Sequence, residues 1–261
     1  SLGVLNLRGQ VIPVFDLPAI VGCKPETGLN ILLVTEYART VQAFAVESVE
    51  DITRLDWTQV VPAESSGSVK SLVTSFARMK DEATGEQRLA QVLDVEAIVN
   101  MVTPEKERPS VAGKNIGAKV KMKSNSIVLA ADDSFVARAL IEQTLKELEA
   151  PFEIVKSGKE AWDRLNALAD QAASEGGSVY EKVGMVLTDL EMPEMDGFTL
   201  TSQIKQSSRL SQLPVLIHSS LSGTTNEDLV QKVGANGYVS KFQPAELAYA
   251  IREALAKNPM M

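Results

Sequence analysis

Three acidic residues at the ends of two apolar runs carry the chemistry this chain is equipped to do. The run from Val183 to Thr188 reads as a buried strand, which puts Asp189 where that strand gives way to the loop Leu190–Gly197. The run from Ile127 to Ala131 reads the same way and ends in Asp132 and Asp133, with Ser134 placed to open a helix. Ligands of open parallel α/β sheets bind at the carboxyl edge of the strands. If both strands are central and parallel, three carboxylates converge on one crevice, where their repulsion is relieved by raised pKa values or by a cation. Oxygen ligands with no His or Cys beside them favour Mg²⁺, which keeps several waters and leaves room for a phosphoryl group. Taken alone, Asp189 would equally suit a turn before Pro193.

Two more strand ends complete the set. Pro214 to His218 leads to Ser219, and Gly237 to Ser240 leads to Lys241, which adds a hydroxyl donor and a compact cation at the same edge. These groups suit a phosphorylated aspartate: the carboxylate attacks phosphorus, Mg²⁺ and Lys241 neutralise the equatorial oxygens, and Ser219 donates a hydrogen bond.

The elements that must hold these residues are legible around them. Val136, Leu140, Ile141, Leu145 and Leu148 recur at helical spacing between Ser134 and Glu149. Ser157 and Glu160 form a capping box before a helix with Ala161, Leu165 and Leu168 on one face, and Pro244 suits the first turn of a last helix to Lys257. The segment Asp170 to Tyr180 reads as a surface extension. His218, Met192 and Met195 read as packing residues, and Trp57 and Trp162 as spectroscopic probes only.

Residues 127–257 resemble a receiver domain of two-component signalling, the CheY-like, flavodoxin-like (βα)5 fold with a doubly wound sheet. The resemblance implies that Asp189 is the phosphoacceptor, Asp133 a direct Mg²⁺ ligand, Asp132 a ligand mostly through water, and Glu191 a ligand through its backbone carbonyl. It also implies that Ser219 is the switch hydroxyl, Tyr238 the switch aromatic, and Lys241 the lysine that pairs with the phosphoryl group. Members of the family usually carry Pro directly after that lysine; here Phe242 follows and the proline comes at Pro244.

At 261 residues the chain has room for two domains, and 44% hydrophobic with 23% charged residues is an ordinary globular composition. The net charge of −8 argues against a nucleic-acid surface. That charge is uneven: 8 basic against 13 acidic residues over 1–100, 6 against 2 over 101–126, and 12 against 19 over 127–261. The basic stretch 103–126, with Pro104, Pro109, Gly113 and Gly117, reads as a solvated linker. A single cysteine, Cys23, excludes an internal disulfide, and no apolar run approaches a membrane span, so the expectation is a cytoplasmic protein without direct membrane insertion. The sequence starts at Ser1 inside an alternating apolar pattern, and upstream sequence is expected.

The first hundred residues read as short strands. Val4 to Leu17 is two apolar runs around Arg8-Gly9, the pattern of a hairpin; Asn30 to Val34, Thr40 to Val46 and Arg88 to Asp94 are further strands. Such a series suggests a small barrel or a pair of them. No metal-ligand spacing, no nucleophile with a base and no histidine occurs here, so catalysis is not expected from this half. The segment Gly3 to Leu17, the strand around Ala45 to Val49 and the closing Leu93 to Glu96 resemble a CheW-like coupling domain over residues 1–102, incomplete at its N-terminus. That family bridges chemoreceptors to a histidine kinase, and the resemblance implies partner contacts at Arg8.

A CheW-like module followed by a receiver resembles the CheV-type chemotaxis coupling proteins. The resemblance implies a non-enzymatic adaptor associated with receptor arrays, contacting methyl-accepting chemoreceptors and the chemotaxis histidine kinase, and modulated by Mg²⁺-dependent phosphorylation of Asp189. The alternatives are a Mg²⁺-dependent phosphatase working through an aspartyl phosphate, and a pseudo-receiver that acts as an unphosphorylated scaffold.

Overall fold

The structure is a computed structural model and describes residues 1–37, 40–63, 72–81, 84–108, 110–111, 116–220 and 230–257. Strands β1 (Gly3–Leu7) and β2 (Gln10–Asp16) form the expected hairpin, with Leu7 opposite Gln10. Arg8 and Gly9 take φ of 51° and 86°, the positive pair that a two-residue turn needs to match the strand twist. Strand β3 (Ile31–Tyr37) is antiparallel to β4 (Thr40–Val46), and β4 is parallel to β2, giving the order β1-β2-β4-β3. Between them, α1 (Leu17–Val21) is capped by Asp16. Strands β5 (Val60–Pro62), β6 (Val73–Lys80) and β7 (Gln87–Leu93) make a separate antiparallel sheet.

Among the described residues the β-rich half thus holds one sheet of four strands and one of three. The half ends in α2 (Val95–Val102), whose N-cap Asp94 accepts from the Ala97 amide at 2.8 Å.

The second half alternates strand and helix: β8 (Ile127–Ala131), α3 (Phe135–Glu147), β9 (Phe152–Val155), α4 (Gly158–Ser174), β10 (Val183–Asp189), α5 (Gly197–Gln206), β11 (Val215–Ser219), β12 (Gly237–Ser240) and α6 (Pro244–Ala256). The sheet is parallel in the order β12-β11-β10-β8-β9. Leu140, Leu145, Leu247 and Ile251 pack with Val128, Ala130, Met185 and Leu187 on one face, and Leu165, Leu200 and Ile204 with Leu129, Val186 and Val215 on the other. The strand order reverses between β8 and β10, which opens a crevice at their carboxyl ends.

The stretch 170–180 is a surface extension in which α4 runs on to Ser174 and Val179 anchors the segment against the core. One segment departs from the sequence expectation. The stretch 103–126 is not solvated throughout: Val111 and Ile116 are buried in the same cluster as Leu145 and Ile251, Arg252 donates to the Ile116 carbonyl, and the Val120 amide donates to the Leu148 carbonyl at 3.0 Å. Isolated apolar residues in a polar segment dock one at a time and leave no periodic signal. Residues 109 and 112–115 of that stretch lie outside the described residues.

Candidate functional site

Each predicted site residue stands at or just beyond a strand's carboxyl end. Asp132 and Asp133 follow β8, Asp189 and Ser219 close β10 and β11, and Lys241 follows β12. Asp132, Asp133 and Asp189 each offer a carboxylate oxygen within 4.8 Å of the others. The Lys241 ammonium, 1% exposed, lies 2.8 Å from Asp132 Oδ2 and 3.0 Å from Asp189 Oδ2.

Local backbone fixes these groups. The Ser134 amide donates to Asp132 Oδ1 at 2.9 Å and the Leu190 amide to Asp189 Oδ1 at 2.6 Å. Arg138 donates to the backbone carbonyls of Asp132 and Asp133 at 2.9 and 2.7 Å, holding the acid pair from behind. The Lys241 amide donates to the Ser219 carbonyl at 2.9 Å. Gly197 closes the loop after Asp189, and a Cβ there would stand 2.1 Å from the Asp189 carbonyl oxygen, so only glycine permits the approach.

The structure adds a group that the sequence pattern does not reveal. Glu96, in the first turn of α2, reaches across from the β-rich half and places Oε1 2.6 Å from the Lys241 ammonium. The Tyr37 hydroxyl of β3 donates to the same oxygen at 2.6 Å, and the Ser220 hydroxyl does so at 2.9 Å. The Tyr37 ring lies 6.5 Å from that of Phe242, the residue standing where proline is usual in receivers; Phe242 takes φ of 63°. Asp94 accepts a hydrogen bond from Ser134, so the caps of α2 and α3 meet at the seam. One signal was available: Glu96 is the only charged residue in α2, on a helix otherwise made of apolar residues and Asn100.

Burial dominates the electrostatics. It pushes Asp189 up to about 7, with Lys241 opposing and Glu96 and Asp133 reinforcing the shift. It pushes Asp133 up to about 8, with Asp132 adding to the rise, and it raises Asp132 against the pull of Lys241. Glu96 is also opposed by burial, but the Lys241 charge and the hydrogen bonds from Lys241, Tyr37 and Ser220 hold it below the usual carboxylate range. Desolvation works against the Lys241 charge, yet Asp132, Asp189 and Glu96 together outweigh it and hold the ammonium above its ordinary value. One ammonium faces more carboxylates than it neutralises, which is the charge balance of a cation site.

The remaining expected residues fall around this centre. Glu191 is exposed and borders, with Asp94, Glu96, Asp133 and Asp189, a cavity of about 150 Å³. Tyr238 is half-buried against the cluster of Leu190, Ile217 and Val230. Arg8 sits exposed in the β1–β2 turn. His218 is buried in β11, and Met192 and Met195 fill the core below the Asp189 loop. Trp57 is more than a probe: its indole donates to Asp196 Oδ2 at 3.1 Å, a second bridge between the halves.

Residues 1–103 match the CheW-like domain and residues 128–252 the response regulator receiver domain. The chemotaxis protein CheV2 of Helicobacter pylori is 28% identical over 98% of this chain and 80% of its own length. The two-component response regulator ORR5 of Oryza sativa subsp. japonica is 35% identical over 46% of this chain and 82% of its own. A crystal structure of the receiver domain of the histidine kinase CKI1 from Arabidopsis thaliana, complexed with Mg²⁺, is 27% identical and covers 50% of this chain and 92% of that one, with a TM-score of 0.45. With a CheW-like domain followed by a receiver, the chain belongs to the CheV-type chemotaxis adaptors. No helix among the described residues is long and apolar enough to cross a membrane.

Proposed function

We propose that this adaptor couples methyl-accepting chemoreceptors to the chemotaxis histidine kinase through residues 1–102, with contacts at Arg8, and that Asp189 in residues 127–257 receives a phosphoryl group. On this reading residues 103–126 join the two parts, and the protein works in the cytoplasm at receptor arrays. One Asp189 carboxylate oxygen attacks the phosphorus of the donor, the bond from phosphorus to the donor's bridging group breaks, and that group leaves with the electron pair. Lys241 neutralises the transferred oxygens, Ser219 donates to them, and Tyr238 follows the change at Ser219. The observation that carries the reading is the meeting of Asp132, Asp133 and Asp189 around Lys241 at one sheet edge.

The donor set fits Mg²⁺: three carboxylates within reach of one ion, in a pocket with an excess of negative charge. Asp132, Asp133, Asp189 and the backbone carbonyl of Glu191 would hold it, and when bound it supplies charge neutralisation for the phosphoryl oxygens. Incubation with acetyl phosphate and Mg²⁺, followed by intact mass, tests the proposal. The wild-type chain gains one phosphoryl group and Asp189→Asn gains none, whereas Asp196→Asn still labels. Equal labelling of wild type and Asp189→Asn refutes the assignment, and steady release of phosphate from phosphomonoesters would favour the phosphatase alternative.

A further inference from the structure

The seam between the halves is built at the reacting centre itself. Glu96 Oε1 stands 2.6 Å from the Lys241 ammonium, at the cation that the transferred phosphoryl oxygens would need. Both groups are anionic and both seek the same ammonium, so they compete for it directly. Glu96 is 6% exposed, Asp189 5% and Lys241 1%, so the β-rich half covers the carboxylate that has to be reached. The space left beside Asp189 is lined by Asp94, Glu96, Asp133 and Glu191, carboxylates from both halves that repel an incoming phosphate ester or anhydride.

We propose that the coupling half is an internal competitor of the phosphoryl group: Glu96, oriented by Tyr37 and Ser220, occupies Lys241 and closes the receiver, and phosphorylation of Asp189 expels it. This inference rests on Asp189 being the phosphoacceptor. The contact is made of groups that suit a reversible latch. Glu96 enters on a helix whose cap, Asp94, touches the cap of the receiver's first helix, while Trp57 bonds Asp196 in the loop after Asp189. When the phosphoryl group takes Lys241, Glu96 loses its counter-charge while remaining buried beside new negative charge, an arrangement that is strongly unfavourable unless the helix withdraws. Coupling of this kind is reciprocal. A partner that holds the coupling half away from the receiver therefore makes Asp189 easier to phosphorylate, and a phosphorylated receiver frees the coupling surface next to α2.

The full chain, with folding checked by circular dichroism, is labelled with acetyl phosphate and Mg²⁺ as wild type, Glu96→Gln and Tyr37→Phe, and small-angle X-ray scattering is recorded with and without beryllofluoride, a phosphoryl analogue. Glu96→Gln should label at least tenfold faster than wild type. Tyr37→Phe, which keeps the carboxylate but loosens it, should fall between them. Beryllofluoride should expand the wild-type chain, and Glu96→Gln should be expanded without it. Equal labelling rates in all three chains, with no change in scattering, overturn the competitor role and leave the phosphoacceptor assignment standing. Absence of labelling in every chain overturns the phosphoacceptor assignment and the competitor role with it.

Discussion

Trp57 donates its indole N–H to Asp196 Oδ2 across 3.1 Å, so a residue of the β-rich half grips the loop that follows Asp189. Asp196 also caps α5, where its Oδ1 accepts from the Thr199 amide at 2.6 Å. The bridge and the cap separate by mutation. Asp196→Ala loses the bridge and the cap together and should cost about 1 kcal/mol or more in urea unfolding, most of it from the cap. Trp57→Phe leaves the cap in place and should cost only about 0.5 kcal/mol or less, as expected for a partly exposed site. Equal losses in the two variants would contradict this division of roles.

Mg²⁺ binding offers a separate check. Asp133 belongs to a trio of carboxylates within 4.8 Å of one another, and its partial burial raises its pKa to about 8. Asp133→Ala removes one ligand and should weaken Mg²⁺ binding at least tenfold, or about 1.4 kcal/mol. Backbone resonances of residues 132, 133, 189 and 191 should report the titration, and an unchanged affinity in the variant would show that the ion binds elsewhere.

The receiver half was legible because each of its functional residues ends a short apolar run, so local pattern and chemistry coincide at Asp132, Asp133, Asp189, Ser219 and Lys241. Glu96 was not legible for the opposite reason. Its partner lies 145 residues away, and as an acid in the first turn of a helix it already satisfied a local rule about the helix dipole. Tyr37 lies beyond the expected strand Asn30 to Val34, and its value comes only from the hydroxyl that meets Glu96. Phe242 could be marked as a departure from the receiver pattern, yet its ring contact with Tyr37 depends on a seam that no periodicity specifies. The packing of Val111 and Ile116 is not encoded in any pattern, because two apolar residues among lysines and glycines form no repeating face.

The coupling half makes its own prediction at Arg8. The side chain is exposed, and the residue sits in a turn whose positive φ is shared with Gly9. Arg8→Glu reverses the charge there and should weaken binding to a chemoreceptor tip or kinase preparation severalfold, while thermal unfolding stays close to wild type because surface changes away from the core are small in effect. Binding that is unchanged in pull-down and calorimetric assays would remove Arg8 from the partner surface.

His218 gives the protein an acid limit whose sign follows from its burial. The ring is 1% exposed, and among the described residues neither of its nitrogens has a hydrogen-bond partner. Desolvation, aided by the Lys241 charge, pushes its pKa down to about 3. The unfolded chain protonates this histidine near its ordinary value of 6.5, whereas the folded chain does not until about 3. Between those limits the unfolded state binds more protons, so stability falls as the pH falls, by about 1.4 kcal/mol per unit at most from this one group. Other buried groups titrate in the same window, and Asp189 and Asp133, raised to about 7 and 8, act with the opposite sign. A difference measurement isolates the histidine. His218→Leu keeps a side chain of moderate volume and has no proton to take up, so the gap in unfolding free energy between it and wild type should shift in the variant's favour as the pH is lowered from 7 to 4.5. A gap that stays constant over that range would show that His218 titrates alike in both states and finds a partner for its charge in the fold.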